Sequence, residues 1–210
     1  MKKLLALFAL LAVSSIPTLA QHRDGETPVF EVNGGYTYQR WSVPPVAQGP
    51  TGPTSLNFNG FNVGASYNIT RWLAAAADIT GTYNNQGAGG FNAKTHIYSY
   101  LFGPRIYPLG HHKLTPYVHA LFGVATYNIN IPADLVNMLP PFQESNNDFS
   151  FAVGGGVDWS VGKHFAVRLG QFDYQQTRFL HSDAVGAGLS ASNQNNFIYS
   201  AGLVVRFGEK

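Results

Sequence analysis

From Phe149 to Val161 the chain alternates apolar residues with small polar ones, and neither series contains a lysine or a glutamate. A period of two puts each series on its own face of a β-strand. Phe149, Phe151, Val153, Val157, Trp159 and Val161 share one face; Ser150, Ala152, Gly154, Gly156, Asp158 and Ser160 share the other. A strand with one face in water would carry Lys and Glu there. This one has an oily side and a small, almost uncharged side, which restricts the environments it can occupy.

The pattern recurs along the chain. Phe30, Val32, Tyr36 and Tyr38 oppose Glu31, Asn33, Thr37 and Gln39, while Phe61, Val63, Ala65, Tyr67 and Ile69 oppose Gly60, Asn62, Gly64, Ser66 and Asn68. Leu73, Ala75, Ala77, Ile79 and Tyr83 oppose Ala74, Ala76, Asp78, Thr80 and Thr82. The periodicity predicts eight strands, near 29–41, 57–69, 73–84, 94–107, 115–128, 148–161, 164–177 and 196–207. Their connections alternate: 42–56, 85–93, 129–147 and 178–195 are long, whereas 70–72, 108–114 and 162–163 are short. Alternating long loops and short turns are the plan of a transmembrane barrel, with the short turns in the periplasm. An even strand count brings both termini to the short-turn side.

Alternation alone does not say which face points inward, since a soluble sandwich buries the apolar face and a membrane barrel exposes it to lipid. Three features decide it. The polar face is built from Gly, Ser, Thr, Asn and Ala, which suit a cramped eight-strand interior. Charged residues are 11% of the chain, against about 25% for soluble domains. Aromatics gather towards strand ends, at Tyr36, Tyr38, Trp41, Tyr67, Trp72, Tyr83, Tyr107, Tyr127 and Trp159, where interfacial girdles belong. The expected fold is all-β: a closed eight-stranded antiparallel transmembrane barrel.

Three segments break the pattern. The strands over 94–107 and 115–128 carry apolar residues on both faces, so their registers stay open. Pro104 removes a ladder hydrogen bond inside a strand, which predicts a bulge or an early strand end. Phe165, Val167 and Leu169 share a face that Phe172 and Tyr174 do not, so a bulge near Gly170 is expected to restore the phase.

The N-terminus reads as a secretory signal over 1–20: Lys2 and Lys3, an apolar run from Leu4 to Val13, Pro17, then Thr18-Leu19-Ala20 before a cut at Gln21. The run is far short of the roughly 20 residues of a membrane helix. Removing Lys2 and Lys3 from the 13 basic residues leaves as many as the 11 acidic ones. A neutral chain lacks the basic footprint of nucleic-acid binding. With no cysteine, there is neither a disulfide framework nor a lipid-attachment thiol.

The last strand ends Ser200-Ala201-Gly202-Leu203-Val204-Val205-Arg206-Phe207, with Gly208-Glu209-Lys210 after it. Ser200, Gly202, Val205 and Phe207 resemble the terminal signal read by the barrel-insertion machinery of bacterial outer membranes. With this strand and the architecture, 25–207 resembles the eight-stranded outer-membrane barrels of the OmpA/OmpX type, without a periplasmic domain. The resemblance implies the outer membrane of a Gram-negative-type bacterium. The expected organisation is signal 1–20, periplasmic segment 21–28, barrel 29–207 and tail 208–210. Implied partners are outer-membrane lipid and lipopolysaccharide, with periplasmic chaperones and the insertion machinery during biogenesis.

Few charges lie at membrane level, and a charge there must be paired. Glu31 and Arg206 fall near the periplasmic ends of strands that become neighbours on closure. Arg105, Asp158 and Arg168 belong to the same end, with Asp78 deeper. These six are the expected lumen ion-pair cluster, acting as a plug or, alternatively, as the gate of a narrow porin-like channel. No catalytic residue is assigned. His181-Ser182-Asp183 is a local sequence rather than a spatial triad, and His96 and Ser99 have opposite parity. A lipid A-modifying enzyme is therefore a remote alternative. His111 and His112 beside Lys113 read as a solvated turn, since no further ligand completes a metal site, and His119 as a lumen hydrogen-bonder or a misjudged register. No metal or cofactor is expected. The uncharged loop 42–56 and loop 129–147, with its apolar ADLVNML run, are the expected contact surfaces for an extracellular ligand. No loop carries a basic cluster for lipopolysaccharide phosphates, to which Arg40 and Arg178 contribute singly. The expected role is structural and interactive.

Overall fold

Eight strands follow one another in the computed structural model, which describes residues 27–42, 55–84, 94–130, 143–179 and 192–209. They are β1 (Phe30–Ser42), β2 (Ser55–Asn68), β3 (Leu73–Asn84), β4 (Lys94–Ile106), β5 (Leu114–Asn130), β6 (Gln143–Ser160), β7 (Phe165–Phe179) and β8 (Ser192–Phe207). Each pairs antiparallel with the next, and β1 pairs with β8 from Phe30↔Phe207 to Trp41↔Asn196, closing the barrel. Closure leaves no strand edge unpaired, the condition for spanning a lipid phase that offers no hydrogen bonds.

The sidedness follows the sequence pattern. Val63, Ile79, Phe151, Val153, Leu203 and Phe207 stand exposed on the outer wall, while Asn62, Asp78, Ser150 and Arg206 are buried inside. The strands exceed the expected ranges mainly at their long-connection ends, where β5 reaches Asn130 and β6 starts at Gln143.

The ambiguous strands resolve into one arrangement. Leu101 and Arg105 of β4, with Tyr117, His119 and Leu121 of β5, point inward; Tyr100, Phe102, Val118 and Phe122 point out. Apolar residues occupy both faces here because Leu101, Leu121, Ala76 and Ala152 form a small apolar cluster inside the barrel.

Pro104 causes neither a bulge nor an early end. Pairing of β4 with β5 lapses at Gly103 and Pro104 and resumes in unchanged register, from Phe102↔Phe122 to Arg105↔His119. On its other side Pro104 still stands opposite Ala75. Two intact flanking ladders hold the register across the gap. The β7 irregularity lies where the phase break placed it: the register shifts between Arg168 and Gln171, and Leu169 has no β6 partner.

Three expected girdle aromatics face the other way. Tyr107 is fully buried, folded back under the barrel between Ala74 and Tyr117. Trp41 follows Gln39 on the inner face of β1, and Tyr127 follows Ala125 on the inner face of β5. Their rings stack at 5.9 Å and 11° although β1 and β5 are not neighbours, and Phe58 meets Trp41 edge-on at 6.0 Å. Position near a strand end is shared by girdle and mouth residues; parity separates them.

Replacing Val153, exposed in the outer wall of β6, with Arg should lower barrel stability by about 2–4 kcal/mol. Urea unfolding in lipid vesicles checks this, and an unchanged midpoint would place Val153 away from lipid.

Candidate functional site

The barrel interior near the short-turn end is where the sequence puts charge on faces otherwise made of Gly, Ser and Asn. Glu31 and Arg206 are register partners on β1 and β8, and Arg206 Nε donates to Glu31 Oε1 at 2.9 Å. Glu31 Oε2 accepts from the Tyr107 hydroxyl at 2.7 Å and from Ser66 Oγ at 3.3 Å. Tyr107 lies just past β4; burial, and then the charge of Glu31, push its phenol well above the ordinary range, so it stays protonated and donates. Arg206 Nη1 also donates to Ser160 Oγ.

Asp158 and Arg168 are likewise register partners, and they form a two-pronged pair: Nε to Oδ1 at 2.9 Å and Nη2 to Oδ2 at 3.1 Å. This fork geometry is the strong form of the arginine–carboxylate contact. Arg105 stands opposite Ala74, and its Nη2 reaches Asp78 Oδ2 at 3.3 Å. The structure thus brings all six sequence-selected charges into the lumen as three pairs. The guanidinium carbons of Arg105 and Arg168 lie 4.7 Å and 4.8 Å from the ring centre of Tyr117. A buried aromatic face next to two cations offsets part of their desolvation.

Glycine makes room for this charge. A Cβ at Gly64 would collide with Asp78 Oδ1 and the Asn33 amide, and one at Gly154 would collide with Asp173 Oδ1. Large polar groups on one strand therefore need glycines on the next.

Several members were not read from sequence. Tyr117 donates to Gln171 Oε1 at 2.7 Å, and that oxygen also accepts from Arg168 Nη1 at 2.7 Å. Gln171 Nε2 donates to Asp173 Oδ2, and His119 Nε2 meets Asp173 Oδ1, each at 2.7 Å. The signal was present: once a bulge is set near Gly170, Gln171, Asp173, Gln175 and Thr177 share the inner face. His111 is not in a solvated turn but buried, its Nε2 3.4 Å from Glu31 Oε1 without hydrogen-bond alignment. Tyr107, ring-to-ring with His111 at 4.3 Å, draws it in. His112 stays exposed. His119 is the lumen hydrogen-bonder of the two readings.

Beyond the apolar cluster, towards the long connections, the described inner-face residues are mostly amides and hydroxyls, with the buried carboxylate of Asp148 among them. Gln175 Nε2 donates to Ser99 Oγ at 2.9 Å and to Ser150 Oγ at 2.7 Å, and Thr82 donates to Gln39 Oε1 at 2.7 Å. In the terminal strand, Ser200 hydrogen-bonds Thr37 at 2.7 Å inside, Gly202 lies against the Gly34–Gly35 backbone, and Phe207 packs on Phe30 at 6.5 Å outside. Val205 lies on the outer side, register partner of Val32. His96 and Ser99 lie on opposite sides of β4, as their parity requires. Among the described residues no His, Cys, Asp and Glu group has the makings of a metal site. The expected signal over 1–20, His181-Ser182-Asp183, the Arg178 side chain and most of loops 42–56 and 129–147 lie outside the described residues.

A family model described as an outer membrane protein beta-barrel domain matches residues 6–207. No curated protein sequence matches the chain. Among solved structures, Neisserial surface protein A is 16% identical, with 88% of this chain and 100% of that one covered at a TM-score of 0.62. Ail, the attachment invasion locus protein of Yersinia pestis, is 14% identical over 86% of this chain and 99% of its own, at 0.57. Ail is also solved in complex with the heparin analogue sucrose octasulfate. OprG, an outer membrane protein of Pseudomonas aeruginosa, is 12% identical over 87% and 97%, at 0.51. At such identities the likeness is one of fold.

Asp158→Asn strands the Arg168 guanidinium in the lumen and should cost about 3–5 kcal/mol. The double change Asp158→Asn/Arg168→Gln should recover most of that loss. Unfolding midpoints of the refolded variants decide, and a single variant as stable as the parent would remove the pair from the account of stability.

Proposed function

The chain belongs to the outer membrane protein β-barrel family and resides in the outer membrane, and from that premise we propose a non-enzymatic, structural and surface-interacting barrel whose lumen is plugged. One observation supports this reading: inner-face side chains meet one another at several levels of the lumen. Three arginine–carboxylate pairs occupy the periplasmic half. Ala76, Leu101, Leu121 and Ala152 of β3–β6 cluster on one side of the middle. Trp41, Phe58 and Tyr127 meet across the outer mouth. An ion crossing such a lumen meets buried apolar surface beside the polar groups, which is electrostatically costly.

In this reading the long connections do the work. Loops 42–56 and 129–147 present the surface for an extracellular ligand, and the wall contacts lipopolysaccharide and phospholipid. The secretory signal over 1–20 directs export, and Ser200, Gly202, Val205 and Phe207 serve recognition by the insertion machinery. The six paired charges specify closure more than they add stability, because desolvation offsets much of each attraction.

A second reading, a narrow gated channel, draws on the buried polar atoms without a partner among the described residues: Asp78 Oδ1, Arg105 Nε and Nη1, and Arg206 Nη2. Such groups favour water beside them, and a file of waters is the beginning of a pore. The channel would open by exchange of the same ion pairs.

Planar-bilayer recording separates the two. A plugged barrel conducts weakly or not at all, and Arg206→Ala, which frees Glu31, raises the conductance. Large, steady conductance of the unaltered protein would overturn the plug in favour of the pore.

A further inference from the structure

Outside the lumen, at the periplasmic rim, Leu109, His112, Lys113, Leu114, Trp159 and Leu169 line a groove of about 520 Å3. Its floor is the outer wall of β5, β6 and β7. Leu114 stands opposite Trp159, and Leu169 is the residue left without a β6 partner at the β7 bulge. Leu109, Leu114, Trp159 and Leu169 are all exposed. The cationic edge comes from the turn joining β4 to β5.

That turn is held firmly by its backbone. Gly110 takes a left-handed φ of 70° that a side chain would strain, and its N–H donates to the Tyr107 carbonyl at 3.0 Å. The His112 carbonyl accepts from Thr115 Oγ1 at 2.9 Å and from Ser160 Oγ at 3.1 Å, and the Ser160 N–H donates to the Lys113 carbonyl at 2.8 Å. The last three bonds use the carbonyls of residues 112 and 113, and both residues are exposed. Lys163, in the β6–β7 turn, is instead neutralised by Glu209 at 2.6 Å. Among the described residues no carboxylate pairs with Lys113 or His112.

We propose that this groove binds one phospholipid of the periplasmic leaflet with an anionic headgroup. Its phosphate lies against Lys113 and His112, and an acyl chain runs down Leu114, Trp159 and Leu169. The wall supplies apolar area continuous with the lipid phase, the turn supplies unneutralised cationic charge at the water boundary, and Trp159 sits between them. A basic side chain at a membrane surface favours anionic lipid, here by ~fivefold over a zwitterionic one.

The test is lipid retention by the membrane-extracted, folded protein, with folding verified by heat-modifiable gel mobility. Native mass spectrometry with phosphatidylglycerol and phosphatidylethanolamine of matched chains should show about fivefold preference for the former. Lys113→Ala/His112→Ala should abolish the preference, and Lys163→Ala should leave it. A measurement on intact groove residues stands beside it: with Trp41→Phe and Trp72→Phe, Trp159 fluorescence should be quenched more by brominated phosphatidylglycerol than by the brominated phosphatidylethanolamine. Equal retention of both lipids, an equal loss in Lys163→Ala, or equal quenching overturns the proposal. A dimer that covers Trp159 and excludes lipid overturns it as well.

Discussion

Everything in this barrel depends on the hydrogen-bonded seam between β1 and β8. A lipid phase gives a backbone N–H or C=O no partner, so an open sheet edge at membrane depth leaves a row of polar groups unsatisfied. The seam runs without interruption from Phe30↔Phe207 to Trp41↔Asn196. It also makes register partners of Glu31 and Arg206, residues 175 positions apart in the chain. The same closure that satisfies the backbone therefore assembles the first lumen ion pair. Once it is made, the other inward charges have no route to water except along the lumen, and pairing is imposed on them.

That constraint explains the division of labour along the lumen. Near the short turns, where Arg and carboxylates lie in register or, for Arg105 and Asp78, four residues out of it, the interior is ionic. In the middle, alanines and leucines of β3–β6 form an apolar side that needs no partners. Towards the long connections, amides and hydroxyls such as Gln175, Ser99 and Ser150 hydrogen-bond one another. Glycines opposite Asp78 and Asp173 are the counterpart of this chemistry, since the space for each carboxylate is taken from the neighbouring strand.

The period-two pattern is enough to read strand number and sidedness, because a one-residue error turns Phe and Val into the lumen. Where the pattern weakened, reading failed for identifiable reasons. In β4 and β5 the inner apolar layer erased the contrast between faces, hiding Tyr117 and His119. His111 and Tyr107 lie outside any strand, where parity has no meaning, and only tertiary folding of the turn under the barrel buries them. Pro104 was expected to disturb its strand, yet the neighbouring ladders kept the register. Position near a strand end suggests the girdle for Trp41 and Tyr127, whereas their parity points inward.

The Trp41–Tyr127 stack joins strands on opposite sides of the ring, since β1 and β5 share no ladder. In mechanical terms it is a strut across the diameter. A thin cylindrical shell resists stretching along its walls far better than it resists becoming oval, and contacts across the lumen oppose the second deformation. Two flat rings in contact at 11° bear compression along one axis and lose their overlap when that axis lengthens. The stack therefore opposes flattening of the mouth along that one diameter, where the chain leaves β1 and β5.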